Sequence, residues 1–373
     1  MRKRARGESL PVCGVLLAGG RGTRFWPRSR LRTPKQLLNI AGRDTMLRQT
    51  AARLKPLIAD NHLWVVTNAE QAGAVRAQLR GVPAANVLAE PVGRNTAAAI
   101  GLTAIHLAHR HGDALMAILP SDSHVADAAG YRRLMRGALE LVREPGKMAV
   151  FGIVPTQPDV GYGYIELGSA TANPLGVRVV AVRRFTEKPA LSVARRYVAS
   201  GKYLWNAGMF FWRASTFLEN LRRFLPATHA ALEQLAPTIG TRRYAAALRQ
   251  IYPQLQNISV DYGIMEPATR TGGEPRVFVV PANVGWSDIG SWAAVYDFLA
   301  GKPGENVSAG PLFTLDAEGN YFWCPKKFVA AIGARNLVVV ETDDALLICD
   351  RKRAQDVGRI VKWLEAHKQS KLL

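Results

Sequence analysis

Cysteine and acid are both scarce in this chain of 373 residues. Its three cysteines, Cys13, Cys324 and Cys349, stand far apart without paired metal-ligand spacing. That excludes a disulfide framework and fits a reducing, cytoplasmic setting. No stretch approaches the roughly 20 apolar residues of a membrane span, so no membrane partner is expected. The opening MRKRARGESL has cations but no apolar segment behind them, which excludes a secretory signal and predicts a basic, disordered tail over 1–10. His106, His109 and His111 have no cysteine or acid spaced for zinc, and they read as a polar helix end.

The shortage of acid leaves 49 Lys and Arg against 29 Asp and Glu, a net charge of +20. Such an excess raises the possibility of nucleic-acid binding. The basic residues are scattered, however, and no recognition helix, zinc spacing or RNA-binding signature accompanies them. No dedicated nucleic-acid partner is expected, only a general affinity for polyanions. Hydrophobic residues at 48% and charged ones at 21% describe a soluble globular protein, long enough for one large domain or two.

What is abundant is concentrated in LLAGGRGTRFWPRSRLRTPKQLL, residues 16–38. An apolar run from Val12 to Ala18 predicts a buried strand. Gly19, Gly20 and Gly22 follow, so the backbone can turn tightly and approach a ligand. Arg21, Arg24, Arg28, Arg30, Arg32 and Lys35 then supply cations. Bare amides beside converging cations make a polyphosphate site. The P-loop is excluded because Gly22 is followed by Thr23 and Arg24 rather than Lys-Ser or Lys-Thr. The dinucleotide fingerprint is excluded because Phe25 stands where a third glycine is required.

Strand-like runs at 63–67, 86–89, 114–120 and 148–154 alternate with helical spacing at 45–58, 69–80, 95–110 and 130–143. The fold class is therefore α/β: a Rossmann-like, mixed, mainly parallel sheet flanked by helices, with ligands at the carboxyl ends of its strands. Past residue 155 the alternation breaks into aromatic strands such as MFFW (209–212), which suggests an insertion. From about residue 301, short strands with Gly- and Asn-rich turns precede a charged helix, Arg351 to about His367. The expected division is an α/β domain over 11–300 and a small β domain with a terminal helix over 301–373.

Two further blocks fit a nucleotide site. In EPVGRNTAAAI (90–100), Asn95 or Thr96 can cap a helix, and Gly93 lets the backbone approach a planar ligand. Glu90 suits guanine, whose N1–H and exocyclic amine both donate. In ILPSDSHV (118–125), Asp122 sits just past a strand end as a hard oxygen ligand for a metal.

Together these blocks resemble the sugar-nucleotide pyrophosphorylases, in their guanylyltransferase branch. The resemblance covers residues 12–367. It implies transfer of GMP from GTP to α-D-mannose 1-phosphate, with Mg²⁺ as cofactor. It assigns the nucleotide to Ala18, Gly19, Gly20, Gly22, Thr23, Glu90, Gly93, Asn95 and Thr96, and catalysis to Arg24, Lys35 and Lys188. Magnesium falls to Asp122 and to Asp288 of GWSDIGSW (285–292), although the sequence does not show that these two converge.

The sugar falls to Gly161 and Gly163 of GYGYIE, whose bareness leaves room for a pyranose, to Glu187 of FTEKP, and to Asn206 of WNAGMFFW. Asp261 is a further acid near that site. The resemblance also implies a possible homodimer. No added isomerase domain is expected after Trp363. Alternatives are a pyrophosphorylase for another sugar or base, and an inactive polyanion-binding homologue. The presence of Arg24, Lys35, Asp122, Lys188 and Asp288 weighs against the latter.

Overall fold

The structure is a computed structural model that describes residues 9–40, 42–270 and 273–373. Most of the tail expected over 1–10, residues 1–8, lies outside the described residues. The dominant feature is a nine-stranded sheet. Its strands are β1 (Val12–Leu17), β2 (Leu63–Asn68), β3 (Val87–Glu90), β4 (Leu115–Pro120), β5 (Met148–Ile153), β6 (Tyr164–Ala172), β7 (Val179–Thr186), β8 (Tyr203–Arg213) and β9 (Val277–Pro281). They lie in the order β3-β2-β1-β4-β8-β5-β9-β7-β6.

The first four strands are mutually parallel. A strand buried on both faces needs a continuous apolar run, and VCGVLL and LMAILP supply it. Side chains alternate across the sheet, so Cys13 and Val15 join one core while Leu16 joins the other. The first core is covered by α3 (Asn95–His111) and by helices Ala214–Phe224 and Pro226–Leu235. The second is covered by α1 (Met46–Leu54), α2 (Ala72–Gln78) and α4 (Ala128–Leu141). The four expected helices are all present but shorter or shifted at their ends, where caps decide the boundary. Thr45 accepts from the Arg48 amide at the start of α1, and Asp127 from the Gly130 amide at the start of α4.

The expected side-chain cap of α3 is absent. Asn95 sits at φ +63° with its Oδ1 on the Thr96 amide, and the Thr96 hydroxyl accepts instead from the Val260 amide. Here the chain uses its capping groups to fix a loop against a distant segment.

Beyond β4 the sheet becomes largely antiparallel, because β8 runs against β4, β5 and β6. A two-residue pairing of His124–Val125 with Trp286–Ser287 then draws the end of β4 beside the 285–292 block. No helix among the described residues is long and apolar enough to cross a membrane.

The C-terminal strands are β10 (Val307–Ser308), β11 (Leu312–Leu315), β12 (Tyr321–Trp323), β13 (Val329–Ile332), β14 (Leu337–Glu341) and β15 (Leu346–Asp350). They stack in parallel as β10-β12-β14 and β11-β13, with β15 antiparallel on β14. Asparagines hold the turns of this stack. Asn320, fully buried, donates to Asn306 Oδ1 at 2.8 Å and to the Ala334 carbonyl, and accepts from the Leu337 amide.

The terminal helix is a 3-10 turn, Arg351–Asp356, followed by an α-helix, Val357–Ala366. Its apolar face shares one core with Phe25, Trp26, Ile40 and Met46 of the N-terminal region and with Ile289, Trp292 and Tyr296.

Candidate active site

Two connected cavities open at the carboxyl ends of β1, β3 and β4. One, of about 420 Å³, is lined by Gly19, Gly20, Gln36, Glu90, Gly93, Asn95, Thr96, Asp122 and Asp261 among others. The second, of about 270 Å³, is lined by Arg24, Lys35, Asp122, Gly161, Gly163, Glu187, Asn206, Asp261 and Asp288. Asp122 and Asp261 belong to both.

The glycine loop is held by groups that sequence reasoning passed over. Gln36, buried beside Lys35, donates to the carbonyls of Ala18 (2.8 Å) and Gly20 (2.9 Å), and Thr67 also donates to Ala18. Gln36 stands inside the PKQLL block, so its place in the motif was the available signal. Gly22 is required twice over. Its φ is +59°, and a Cβ there would lie 2.6 Å from Lys35 Cβ. Ala18, Gly22 and Thr23 shape the loop but line neither cavity.

The expectation that the basic residues converge on phosphate needs correction. Of the six, only Arg24 and Lys35 line either of these two cavities. Arg21 pairs with Glu365 at 2.6 Å. Arg28 stacks 3.9 Å from the centre of Trp323, and Arg30 pairs with Asp344 at 2.7 Å. With Arg32 they line a separate cleft against the C-terminal segment. Aromatic and acidic partners some 300 residues away turn these cations from the site.

Lys35 is 5% exposed. Its Nζ donates to Asp122 Oδ2 at 3.0 Å and to the Asp288 carbonyl at 2.6 Å. Both aspartates line the smaller cavity, Asp122 meeting Lys35 through its carboxylate and Asp288 through its main-chain carbonyl, and the short pairing of 124–125 with 286–287 joins their two segments. Burial and the Asp288 carboxylate together raise the neighbouring Tyr162 hydroxyl. Tyr162 lies between Trp205 and Trp286, with ring centres at 5.0 and 5.8 Å.

At the sugar end, Asn206 is less available than its chemistry suggests. Its Nδ2 donates to Asp261 at 2.7 Å and its Oδ1 accepts from the Gly208 amide at 2.9 Å. Gly163 lines the smaller cavity, and a Cβ there would lie 2.4 Å from Glu187 Oε2, so its bareness also makes room for that carboxylate. Glu187 Oε2 is buried without a hydrogen-bond partner, while Oε1 meets Lys188 Nζ at 3.1 Å. Burial, then the Asp261 charge, push the Glu187 carboxyl up to about 7, against the pull of Lys188. Lys188 itself is half-exposed at φ +45° and lines neither cavity.

Glu90 ends β3, 6% exposed, and its Oε1 accepts from the Tyr252 hydroxyl at 2.5 Å. Burial pushes its carboxyl up to about 7, while Tyr252 and the Arg94 amide hold it down. Tyr252 had no sequence signal.

Far from this site, the fold brings His111 to Cys13 and His62, with their ligand atoms within 4.8 Å of one another. Cys13 Sγ lies 3.9 Å from His62 Nδ1, and burial pushes the thiol up to about 12. The group is a thiol–imidazole contact at the opposite end of β1.

Residues 13–303 match the nucleotidyl transferase family. The chain belongs to that family. Residues 310–364 match the MannoseP isomerase/GMP-like beta-helix domain, a span that holds the parallel-stacked β11 to β14. The chain is 39% identical to a mannose-1-phosphate guanylyltransferase of Salmonella muenchen over 95% of its own length and 74% of the relative's. It is 38% identical to the xanthan biosynthesis protein XanB of Xanthomonas campestris pv. campestris (strain B100), over 95% and 73%. A crystal structure described as a mannose-1-phosphate geranyltransferase from Thermus thermophilus superposes with a TM-score of 0.84 at 34% identity, over 95% of this chain and all of the other.

Proposed function

We infer that this nucleotidyl transferase moves GMP from GTP to α-D-mannose 1-phosphate, forming GDP-mannose and pyrophosphate. One observation carries the chemistry. The Lys35 ammonium lies between Asp122 and Asp288 where a cavity lined by the glycine loop meets one lined by Glu187 and Asn206. The Salmonella muenchen relative, 39% identical over 95% of the chain, supplies the substrates through its name.

A sugar-phosphate oxygen attacks the α-phosphorus of GTP in line, and pyrophosphate leaves. No protein nucleophile is required, because the phosphate monoester is already ionised. The barrier is repulsion between two polyanions, together with the charge that grows on the leaving group. The protein's task is positioning and electrostatic stabilisation.

In this reading the amides around Gly20 and the Arg24 guanidinium take the triphosphate. Lys35 leaves Asp122 for the reacting phosphates, and Lys188 turns to the sugar phosphate. Glu187 Oε2, a buried acceptor without a partner, receives a sugar hydroxyl. Asp122 and Asp288 are hard oxygen donors at the junction and fit a divalent cation, for which we propose magnesium. Bound there, it would screen charge between the two substrates.

The free thiols Cys13, Cys324 and Cys349 suit the cytoplasm, where we place the protein. The homodimer remains an implication of the family resemblance, and sedimentation analysis tests it.

The deciding experiment is pyrophosphate release across a panel of triphosphates and sugar 1-phosphates. GTP with mannose 1-phosphate is expected to exceed every other pair by at least tenfold in kcat/KM. Preference for a thymidine or uridine triphosphate would overturn the reading.

A further inference from the structure

The base end of the larger cavity is built from two pieces of chain that sequence places far apart. Residues 90–97 form the loop and first turn of α3, and residues 252–261 lie against them. Four contacts join the two. Tyr252 donates to Glu90, Arg94 Nη2 donates to the Pro253 carbonyl, the Ala97 amide donates to the Ile258 carbonyl, and the Val260 amide donates to the Thr96 hydroxyl. Tyr252 is wholly buried within the core that carries α3, so its hydroxyl has a fixed position.

The two oxygens of Glu90 therefore differ. Oε1 is engaged by a buried hydroxyl. Oε2 lies 3.1 Å from where a Cβ on Gly19 would be, on the side of the glycine loop, and both residues line the larger cavity. A glutamate carboxylate hangs on three rotatable bonds and turns freely unless something fixes its plane; here the Tyr252 hydroxyl and the Arg94 amide both bond to it.

We propose that Tyr252 is a positioning residue for base selection: it pins one oxygen of Glu90 so that the carboxylate presents its remaining acceptor lobes to the two donors of a guanine edge. The inference rests on the guanylyl-transfer reading of this site. A second effect runs in the same direction. The Tyr252 hydroxyl is itself held protonated by burial and by the Glu90 charge, so it remains a donor. Its bond to Glu90 favours the carboxylate, which burial otherwise opposes. The charged and titratable groups around the pair are Arg94 on the loop, Tyr244 behind Tyr252, and Asp122 with its partner Lys35 and Asp261 across the cavity.

The test is Tyr252→Phe, which keeps the ring in the core and removes only the hydroxyl. Inosine triphosphate lacks the exocyclic amine of guanine and serves as the comparison. In the variant, kcat/KM for GTP should fall about 10- to 100-fold, the range of one charge-assisted hydrogen bond, and that for inosine triphosphate should fall several-fold less. The acid limb of the GTP profile should move to higher pH, because the bond that favours ionised Glu90 is gone.

Glu90→Gln should by itself lose about 10²-fold with GTP, and Tyr252→Phe added to it should do little more, since the tyrosine acts through Glu90. Equal losses on both nucleotides with an unmoved pH profile would overturn the proposal, as would fully additive effects in the double variant. Calorimetric binding of GDP and inosine diphosphate gives the same comparison without turnover. If the unmodified chain releases no pyrophosphate from GTP and mannose 1-phosphate, the proposed function fails. If it does so while Tyr252→Phe behaves identically, only this inference fails.

Discussion

At Lys35 two demands meet. The side chain is buried, and its ammonium is shared between an aspartate and a carbonyl. In the proposed reaction this cation meets the charge that grows on the phosphates, so its removal should affect the transition state more than the ground state. Lys35→Ala is expected to lower kcat by about 10²–10³-fold while KM for GTP changes far less. Arg24→Ala, which removes a group on the cavity wall that donates to Gln355, should show the reverse balance. Steady-state kinetics on both variants separates the roles.

Glu187 makes a pH prediction. Its raised carboxyl, near 7, means that the proposed hydroxyl acceptor is half neutral at neutral pH. Then kcat/KM for mannose 1-phosphate should fall as pH drops through 7, and Glu187→Gln should flatten that limb while lowering its plateau. For stability the sign is opposite. A carboxyl raised above its unfolded value favours folding most at acid pH, and that contribution is lost between about 4.5 and 7 as pH rises. Glu187→Gln should therefore stabilise the protein at pH 8 relative to pH 5, as denaturant titrations at both values would show.

Among the elements, the asparagine-held stack of β10, β12 and β14 makes the clearest case. Asn320 satisfies donors and acceptors on two neighbouring turns and has no exposure to water. Asn320→Ala strands buried polar groups worth about 1–3 kcal/mol each and should lower the melting temperature by several degrees. Gly22→Ala should be as damaging to the loop, since it combines a left-handed φ with a Cβ 2.6 Å from Lys35.

This is also the scale at which sequence was most readable. β1 to β4 and α1 to α4 were legible because parallel strands need unbroken apolar runs and their helices need periodic ones. Asp122 was legible as a residue just past such a strand. Its meeting with Asp288 was not, because it depends on a two-residue pairing too short to leave a pattern. Nor was Tyr252, whose only signal is a contact across 162 positions. The turning-away of Arg28 and Arg30 was hidden for the same reason: Trp323 and Asp344 are ordinary residues until the fold brings them near.

For the whole molecule, the decisive feature is that one apolar core joins Phe25 and Trp26, just past the glycine loop, to the terminal helix. Cutting the chain after residue 300 would expose Trp292, Phe25 and their neighbours, so the fragment should aggregate or lose turnover rather than retain it. Solubility and pyrophosphate release of residues 1–300 decide the point.

That shared core also fixes how the loop can open. Arg21 and Arg24 are tied to Glu365 and Gln355, and Gly358 sits against Thr23. Amide hydrogens of residues 20–26 should therefore exchange with solvent in step with those of 357–366, as one cooperative unit, rather than with β1, from which the loop departs. Any stress that frays the far end of the chain, whether heat, denaturant or a helix-breaking substitution, would then be felt at the phosphate site before the central sheet begins to yield.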